Sequence, residues 1–127
     1  MFEKDKREWP RIEKRVQVNA AVIDPSNEKA SFKLDPIWSK DVGGNGLGLL
    51  TSIHCMVGSA MALEFLLPNT KEPIRAKGRV VWSKLEDGSN KQYRVGVAFE
   101  SISDSDREAI IRYVTAEAGK SSKKDNR

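Results

Sequence analysis

Short strand-like runs, separated at regular intervals by turn-forming residues, constrain the fold of this chain more than any other feature. Apolar and β-branched residues fill the runs, whereas Gly, Pro, Asn, Asp and Ser fill the gaps, which is typical of β-strands joined by tight turns. Two runs are either separate strands or one strand broken at Asp35-Pro36, because proline cannot donate a hydrogen bond to a β-ladder. About six strands at this spacing indicate a small antiparallel barrel or sandwich. The predicted strands comprise residues 16–23, 30–34, 37–42, 47–53, 60–67, 74–85 and 93–99.

A single helix is predicted, and it follows the last strand. Ser103 and Asp106 give the S-x-x-D pattern of a capping box, and acidic residues in a first turn interact favourably with the helix dipole. Apolar residues then recur at i, i+3 and i+4, which predicts a narrow stripe that docks on the barrel and closes one end of its core. Binding of a partner protein is the alternative use of this stripe. The stripe consists of Ile110, Tyr113 and Val114 and ends at Glu117.

Length and composition indicate one soluble domain. The chain has 127 residues, of which 39% are hydrophobic and 31% are charged, enough for one core and too few for two. No run approaches the ~18 apolar residues of a membrane span, and residues 1–8 carry too many charges for a signal peptide. We therefore expect no membrane span and a cytoplasmic location.

Catalytic and metal-binding patterns are missing from the sequence. The single cysteine, Cys55, excludes an internal disulfide and a cysteine-rich zinc site. Its neighbour His54, the only histidine, points to the opposite face of a strand, so a Cys-His catalytic pair is not expected. There is no metal-ligand spacing, no nucleophile elbow and no pair of acids in a defined setting. The sequence therefore predicts a binding protein without a cofactor, not an enzyme.

Positive charge is concentrated at the two ends of the chain, whose net charge is +4. The C-terminal "GKSSKKDNR" contains no large apolar residue, which predicts a disordered tail over residues 119–127. In the N-terminal cluster, apolar residues interleave with the charges, so that the segment suits a negatively charged ligand. We expect a flexible basic arm over residues 1–15 and a barrel plus helix over residues 16–118. The arm contains Lys4, Lys6, Arg7, Arg11, Lys14 and Arg15, together with Trp9, Pro10 and Ile12.

A glycine cluster lies in "KDVGGNGLGLL", residues 40–50, where four of the nine glycines fall within six positions. Such a cluster implies a sharp turn, positive φ angles or close approach of a ligand to the main chain. Its spacing matches neither G-x-G-x-x-G nor G-x-x-x-x-G-K-[ST], and a strand-like run follows it instead of a helix. The simplest interpretation is a hairpin turn at Asn45-Gly46, and close approach of a ligand stays open.

Two motifs around the first strands carry a family resemblance. "REWPR" has the form R-x-x-x-R, and "DVGGNG" has the form [DN]-x-S-x-x-G except at one position. The runs "LP", "GRVVWS", "VGVAF" and "SDSDREAIIRYV" follow in order. With these motifs the chain resembles the PilZ domain family, bacterial receptors for cyclic di-GMP, over residues 7–116. The resemblance implies a mainly β fold: a six-stranded antiparallel β-barrel with a C-terminal α-helix and a flexible basic N-terminal arm.

The resemblance also implies a ligand site for cyclic di-GMP. Arg7 and Arg11 would clamp the ligand, because a guanidinium fork fits either O6 and N7 of guanine or a pair of phosphate oxygens. Asp41 would accept hydrogen bonds from N1–H and the exocyclic amine of a guanine. Gly46 would allow close approach of the base or of the backbone at the turn. Trp82 either stacks on a guanine or belongs to the core.

Gly43 stands where the family motif has serine. One neutral hydrogen bond is worth ~0.5–1.5 kcal/mol, so we expect an affinity weakened by up to roughly tenfold, with the charged contacts retained. Arg11 and Arg15 in "RIEKR" also fit R-x-x-x-R, although Arg15 lies directly against the first strand. The resemblance further implies that Lys6 influences whether one or two ligand molecules bind.

Three functions are consistent with the sequence. The preferred one is a cyclic di-GMP receptor whose arm changes position on ligand binding and creates a surface for an effector protein, as an adaptor in motility, surface attachment or exopolysaccharide control. The second is a degenerate PilZ module that binds no cyclic di-GMP and acts by protein contacts alone. The third, binding of single-stranded nucleic acid, is disfavoured by the 7% aromatic content and by the lack of a strand in which basic and aromatic residues alternate.

Overall fold

The computed structural model describes residues 10–23, 30–86 and 92–125. In these residues six strands close an antiparallel barrel, a seventh strand extends one side of it, and a helix follows the last strand. The mainly β fold expected from the sequence, with its barrel and C-terminal helix, is confirmed. The elements are β1 (Arg11–Glu13), β2 (Gln17–Ile23), β3 (Ala30–Gly43), β4 (Gly46–Thr51), β5 (Ala60–Phe65), β6 (Ile74–Leu85), β7 (Tyr93–Ile102) and α1 (Asp104–Asp125).

The strand order brings the N-terminal segment to the glycine-rich hairpin. Around the barrel the order is β3, β2, β5, β6, β7 and β4, and the pairing of β4 with β3 closes the circle. Strand β1 pairs with the C-terminal end of β3, where Arg11 lies opposite Gly43 and Glu13 lies opposite Asp41. Arg11, the second arginine of the R-x-x-x-R motif, therefore meets the glycine-rich motif at one edge of the barrel.

Strand β3 continues through the proline at which a break was possible. Val18 of β2 pairs with Ile37, and Ala20 pairs with Leu34, so two residues of β3 stand opposite one residue of β2. A bulge of this kind relieves the ladder of the missing proline N–H. The 14-residue strand consequently runs unbroken to the hairpin turn.

Aliphatic side chains fill the barrel, and α1 packs over one end. Ile110 and Val114 of the predicted stripe are completely buried. The Ser103 hydroxyl accepts a hydrogen bond from the Asp106 N–H at 3.1 Å, which is the N-cap that the sequence predicts. Within the described residues, no helix combines the length and the apolar character needed to cross a membrane. The largest fully buried side chains include Leu34, Leu47, Leu49, Met61, Leu67 and Ile74.

Both ends of the described chain are more regular than predicted. Residues 11–13, assigned to the flexible arm, form β1, because a ladder and an ion pair to β3 hold them. Helix α1 reaches Asp125, inside the stretch predicted to be a disordered tail. Lysine and serine cost less than about 0.7 kcal/mol each in a helix, so they can extend it. Residues 1–9 of the predicted arm and residues 126–127 lie outside the described residues.

Candidate functional site

Strand β1 places Arg11 against the Asp41 carboxylate. The Nε and Nη2 atoms of Arg11 both lie 2.9 Å from Oδ1 of Asp41, so a charge-assisted pair joins the two strands in addition to their ladder. The side chains are 41% exposed for Arg11 and 19% exposed for Asp41. Both groups therefore remain accessible to a ligand on the outer face of the barrel.

The hairpin turn supplies a second acceptor for the same guanidinium. Arg11 Nη1 donates to Oδ1 of Asn45 at 3.0 Å. The turn, formed by Gly44 and Asn45, is held by two other elements. Arg107 Nε of α1 donates to the Gly44 carbonyl at 3.1 Å, and the Phe99 N–H of β7 donates to the Asn45 carbonyl at 2.9 Å. The turn that carries the Asn45 acceptor for Arg11 is therefore held by both α1 and β7.

Four residues on neighbouring strands, each paired with the next, form a row across the outer face of the barrel. Asp41 of β3 lies opposite Gly48 of β4, which in turn lies opposite Gly96 of β7. Gly96 lies opposite Trp82 of β6. A Cβ atom on Gly48 would lie 2.7 Å from Oδ2 of Asp41, and one on Gly96 would overlap the Trp82 indole. The two glycines therefore form a floor over which the Asp41 carboxylate and the Trp82 indole lie. The Cα atoms of Asp41 and Trp82 are ~14 Å apart, because three strand spacings separate them.

A β-bulge accompanies the outward position of Trp82. The pairing of β6 with β7 shifts register between Val80 and Trp82, and the intervening Val81 is 51% exposed while Trp82 is 42% exposed. Trp82 thus lies outside the core, which removes one of its two interpretations. The guanidinium carbon of Arg94 lies 5.9 Å from the centroid of the Trp82 ring, close enough for a cation–π contact.

Two glycines of the cluster, Gly43 and Gly46, allow neighbouring groups to pack closely. Gly43 and Gly46 pair with each other across the hairpin, and neither has a left-handed φ, unlike Gly58 with its φ of 98°. A Cβ on Gly43 would lie 3.0 Å from Cγ of Arg11, and one on Gly46 would overlap the carbonyl oxygen of Val97. Gly46 therefore admits the β7 backbone, whereas Gly43 admits the arginine side chain.

Arg15, the second arginine of the alternative motif, lies against Trp38. Its guanidinium carbon is 5.5 Å from the centroid of the Trp38 ring, whereas Arg11, which both assignments share, contacts the Asp41 carboxylate. The other two residues assigned to the arm's share of the site, Arg7 and Lys6, lie outside the described residues.

Another arginine, Arg79 of β6, is engaged in hydrogen bonds within the barrel. Nε and Nη2 of Arg79 donate to the two carboxylate oxygens of Glu100 at 2.6 and 3.0 Å, and Nη1 donates to the Gly58 carbonyl at 2.8 Å. Hydrogen bonding to Arg79 lowers the pKa of Glu100, and the same bond raises the pKa of Arg79. Arg79 consequently helps to fasten β6 to β7 and to the segment before β5.

The chemical groups at the site suit binding. No group of three or more His, Cys, Asp and Glu side chains that could hold a metal ion occurs among the described residues. Cys55 is buried, which raises the pKa of its thiol, and the ring of His54 lies 5.2 Å from that of Tyr93. A guanidinium, a carboxylate and an exposed indole around a glycine floor form a suitable surface for a planar, polar anion.

Four residues of this surface escaped the sequence-based prediction. Asn45 was assigned only to the turn, and its amide reaches Arg11 through the fold. Gly48, Gly96 and Arg94 come to the site through strand register, which single-sequence patterns do not define. One signal could have identified Gly48 and Gly96: a glycine within a predicted strand marks the close approach of other groups.

Comparison with known families identifies the motifs. The family model described as the PilZ domain matches residues 5–116, which include both the R-x-x-x-R and the glycine-rich motif. A search of the curated proteins found no significant match.

Two solved structures share the fold. The Bacillus subtilis inhibitor of motility, MotI/DgrA, is 15% identical with a TM-score of 0.72, and the match covers 88% of this chain and 51% of that one. The chain thus spans about half the length of that protein. The PilZ domain of YcgR from Escherichia coli, solved with c-di-GMP, is 14% identical with a TM-score of 0.63, and the match covers 96% of this chain and 98% of that one. At these identities the likeness establishes the fold alone.

Proposed function

The chain belongs to the PilZ domain family of bacterial cyclic di-GMP receptors, and we propose that it binds cyclic di-GMP on the outer face of its barrel. One observation carries the proposal: Arg11 and Asp41, one from each family motif, lie 2.9 Å apart. Trp82 faces the same surface across the glycine floor. The structurally similar PilZ domain of YcgR was solved with this ligand.

Each group has a defined task in the proposed complex. Asp41 accepts hydrogen bonds from N1–H and the exocyclic amine of one guanine, which adenine does not reproduce. Arg11, joined by Arg7, donates to a phosphate or to O6 and N7 of a guanine. Trp82 stacks on a base, worth ~1–3 kcal/mol.

We also propose the steps that follow binding. In the proposed complex Arg7, which precedes β1 in the sequence, joins Arg11 on the ligand, and the segment before Arg11 changes its position when the ligand binds. The new surface would be read by an effector protein, with the chain acting as a non-catalytic adaptor in the cytoplasm. Control of motility, attachment or exopolysaccharide production is the proposed context, and the similar MotI/DgrA is an inhibitor of motility.

Isothermal titration with cyclic di-GMP tests the proposal. We expect saturable binding, with no binding of GTP or cyclic di-AMP at the same concentrations. The Arg11→Ala and Asp41→Ala variants should each weaken binding by more than about tenfold, because each removes a charged hydrogen bond worth ~1.5–3 kcal/mol. A flat titration of the folded wild-type protein would overturn the proposal.

The second candidate is a module that works without the nucleotide. The observation in its favour is that Arg11 is already engaged by Asp41 and Asn45 in the structure. A flat titration together with capture of the same effector from extracts with and without cyclic di-GMP would establish this alternative.

A further inference from the structure

Gly43, which stands where the family motif has serine, lies directly against the side chain of Arg11. A Cβ atom on Gly43 would lie 3.0 Å from Cγ and 3.3 Å from Nη1 of Arg11, and 3.1 Å from the carbonyl oxygen of Pro10. Ordinary van der Waals contacts of a Cβ begin at 3.4 Å. The Arg11 side chain therefore lies flat on a position that fits a hydrogen atom and crowds any larger group.

Asn45 completes the support on the other side of the guanidinium. Nε of Arg11 donates to Asp41 and Nη1 donates to Asn45, which uses two of the five donors that an arginine carries, while Nη2 lies 2.9 Å from the same Asp41 oxygen in the ion pair. The two acceptors belong to different parts of the hairpin, one to a strand and one to a turn. Together they fix the plane of the guanidinium and leave its remaining N–H groups for a ligand.

The backbone of β1 is not free to move away from a larger side chain at position 43. The buried Ser39 hydroxyl donates to the Lys14 carbonyl at 2.5 Å and accepts from the Val16 N–H at 2.9 Å. The Lys14 N–H donates to the Lys40 carbonyl at 3.1 Å. A larger group at position 43 therefore displaces the side chain of Arg11 and not its strand.

We infer that Gly43 and Asn45 form a seat for Arg11, as positioning residues that hold its guanidinium ready for the ligand. The inference rests on the proposed function and reverses one expectation from the sequence. In this chain serine at position 43 costs more by displacing Arg11 than its hydroxyl contributes. The glycine and the asparagine act together, because one provides the space and the other provides the acceptor.

Titration of cyclic di-GMP into four proteins tests the seat: the wild type, Gly43→Ser, Asn45→Ala and Asn45→Asp. We expect the Gly43→Ser and Asn45→Ala variants each to bind about three- to tenfold more weakly, the range for one displaced or lost hydrogen bond. Asn45→Asp keeps the acceptor oxygen and should retain most of the affinity. Tighter binding by Gly43→Ser than by the wild type would overturn the inference.

A double variant with Arg11→Ala distinguishes a positioning role of Asn45 from a general effect of the Asn45 substitution on stability. In an Arg11→Ala background, Asn45→Ala should cause no further loss of affinity, whereas independent, additive losses contradict the seat. Asn69→Ala is the matched control, because Asn69 is also a turn asparagine whose side chain is hydrogen-bonded: its amide donates to the Ala109 carbonyl at 3.3 Å. We expect that variant to bind like the wild type.

A readout without ligand distinguishes failure of the seat from failure of the proposed function. Exchange of the Arg11 Nε–H with solvent, followed by NMR spectroscopy, should be faster in Gly43→Ser and Asn45→Ala than in the wild type, because the guanidinium loses its fixed position on Asp41. If the wild type binds no cyclic di-GMP but exchange responds in this way, the proposed function fails while the seat is supported. Unchanged exchange in both variants would overturn the seat.

Discussion

At the level of single residues, the site depends on glycines as much as on charged groups. Gly48 and Gly96 lie under the Asp41 carboxylate and the Trp82 indole, where a Cβ would collide with each. A strand glycine costs stability through backbone entropy, by roughly 0.5–1 kcal/mol relative to alanine. The chain bears that cost at two adjacent positions of one row, which points to a use for the flat surface they create.

Replacing Trp82 tests whether the exposed indole contributes to binding. We expect Trp82→Ala to weaken binding of cyclic di-GMP by roughly 5- to 100-fold, the loss of one stacked base. The free energy of unfolding should change little, because the ring lies outside the core. Trp38→Ala is the control, since Trp38 is similarly exposed at 39% and lies under Arg15. Equal affinities of both variants and the wild type would refute the stacking role.

Adding one methyl group to the floor tests the row itself. In Gly48→Ala the new Cβ would displace the Asp41 carboxylate, so affinity measured by titration should fall by about tenfold, as for one perturbed charged hydrogen bond. Gly119→Ala serves as the control, because beyond the adjoining backbone of its own helix the added Cβ would meet nothing within 4 Å. That helix substitution should stabilise the protein by ~1 kcal/mol and leave affinity unchanged. Wild-type binding by Gly48→Ala would mean that Asp41 does not depend on its place over the glycine.

At the level of elements, a buried hydroxyl adds to the ladder and the ion pair that connect the N-terminal segment to the barrel. Ser39 is completely buried, and it bonds to both Val16 and Lys14, which flank the step from β1 to β2. These bonds satisfy backbone groups that neither strand can pair. The position of β1, and with it that of Arg11, is therefore coupled to a residue in the middle of β3.

Removing this hydroxyl should loosen β1 before it unfolds the barrel. In Ser39→Ala the buried Val16 amide loses its acceptor, which costs ~1–3 kcal/mol of unfolding free energy. Urea unfolding measures that loss, and hydrogen exchange should be faster in β1 than in β6 or β7. Ser52→Ala, at an exposed position, is the control. A change below about 0.5 kcal/mol with unaltered exchange in β1 would show that the hydroxyl does not hold the segment.

Strand pattern and strand register differ in how far the sequence can predict them. The bounds of β6, residues 74–85, follow from the sequence pattern alone, and the apolar stripe of α1 is buried as expected. The continuity of β3 could not be predicted, because the bulge that accommodates Pro36 depends on a partner strand distant in sequence. The same holds for the site. Arg11 and Asp41 were identified by motif, whereas Gly96 and Asn45 belong to it only through long-range pairing.

At the level of the whole molecule, the proposed site draws on strands from both ends of the sequence. The described part of the site comes from β1, β3, β4, β6 and β7, and it exists only when the barrel has closed. A ligand that binds the native state and not the unfolded chain adds its binding free energy to the stability of the fold. Ligand binding and global unfolding are therefore linked in this protein.

Thermal unfolding measures this linkage. With cyclic di-GMP at 100 times its dissociation constant, the free energy of unfolding should rise by about 2.7 kcal/mol, and the midpoint temperature should rise with it. GTP at the same concentration should have no effect. The Arg11→Ala variant should show a smaller shift at equal ligand concentration. An unshifted midpoint at ligand concentrations that saturate a titration would contradict binding to the folded barrel.

The bond between helix α1 and the hairpin turn has a mechanical consequence. Arg107 holds the Gly44 carbonyl from the first turns of a 22-residue helix, and a helix of that length extends ~33 Å at 1.5 Å per residue. Because this hydrogen bond supports the turn that carries Asn45, a change in the position of the first turn of α1 would also change the position of that turn.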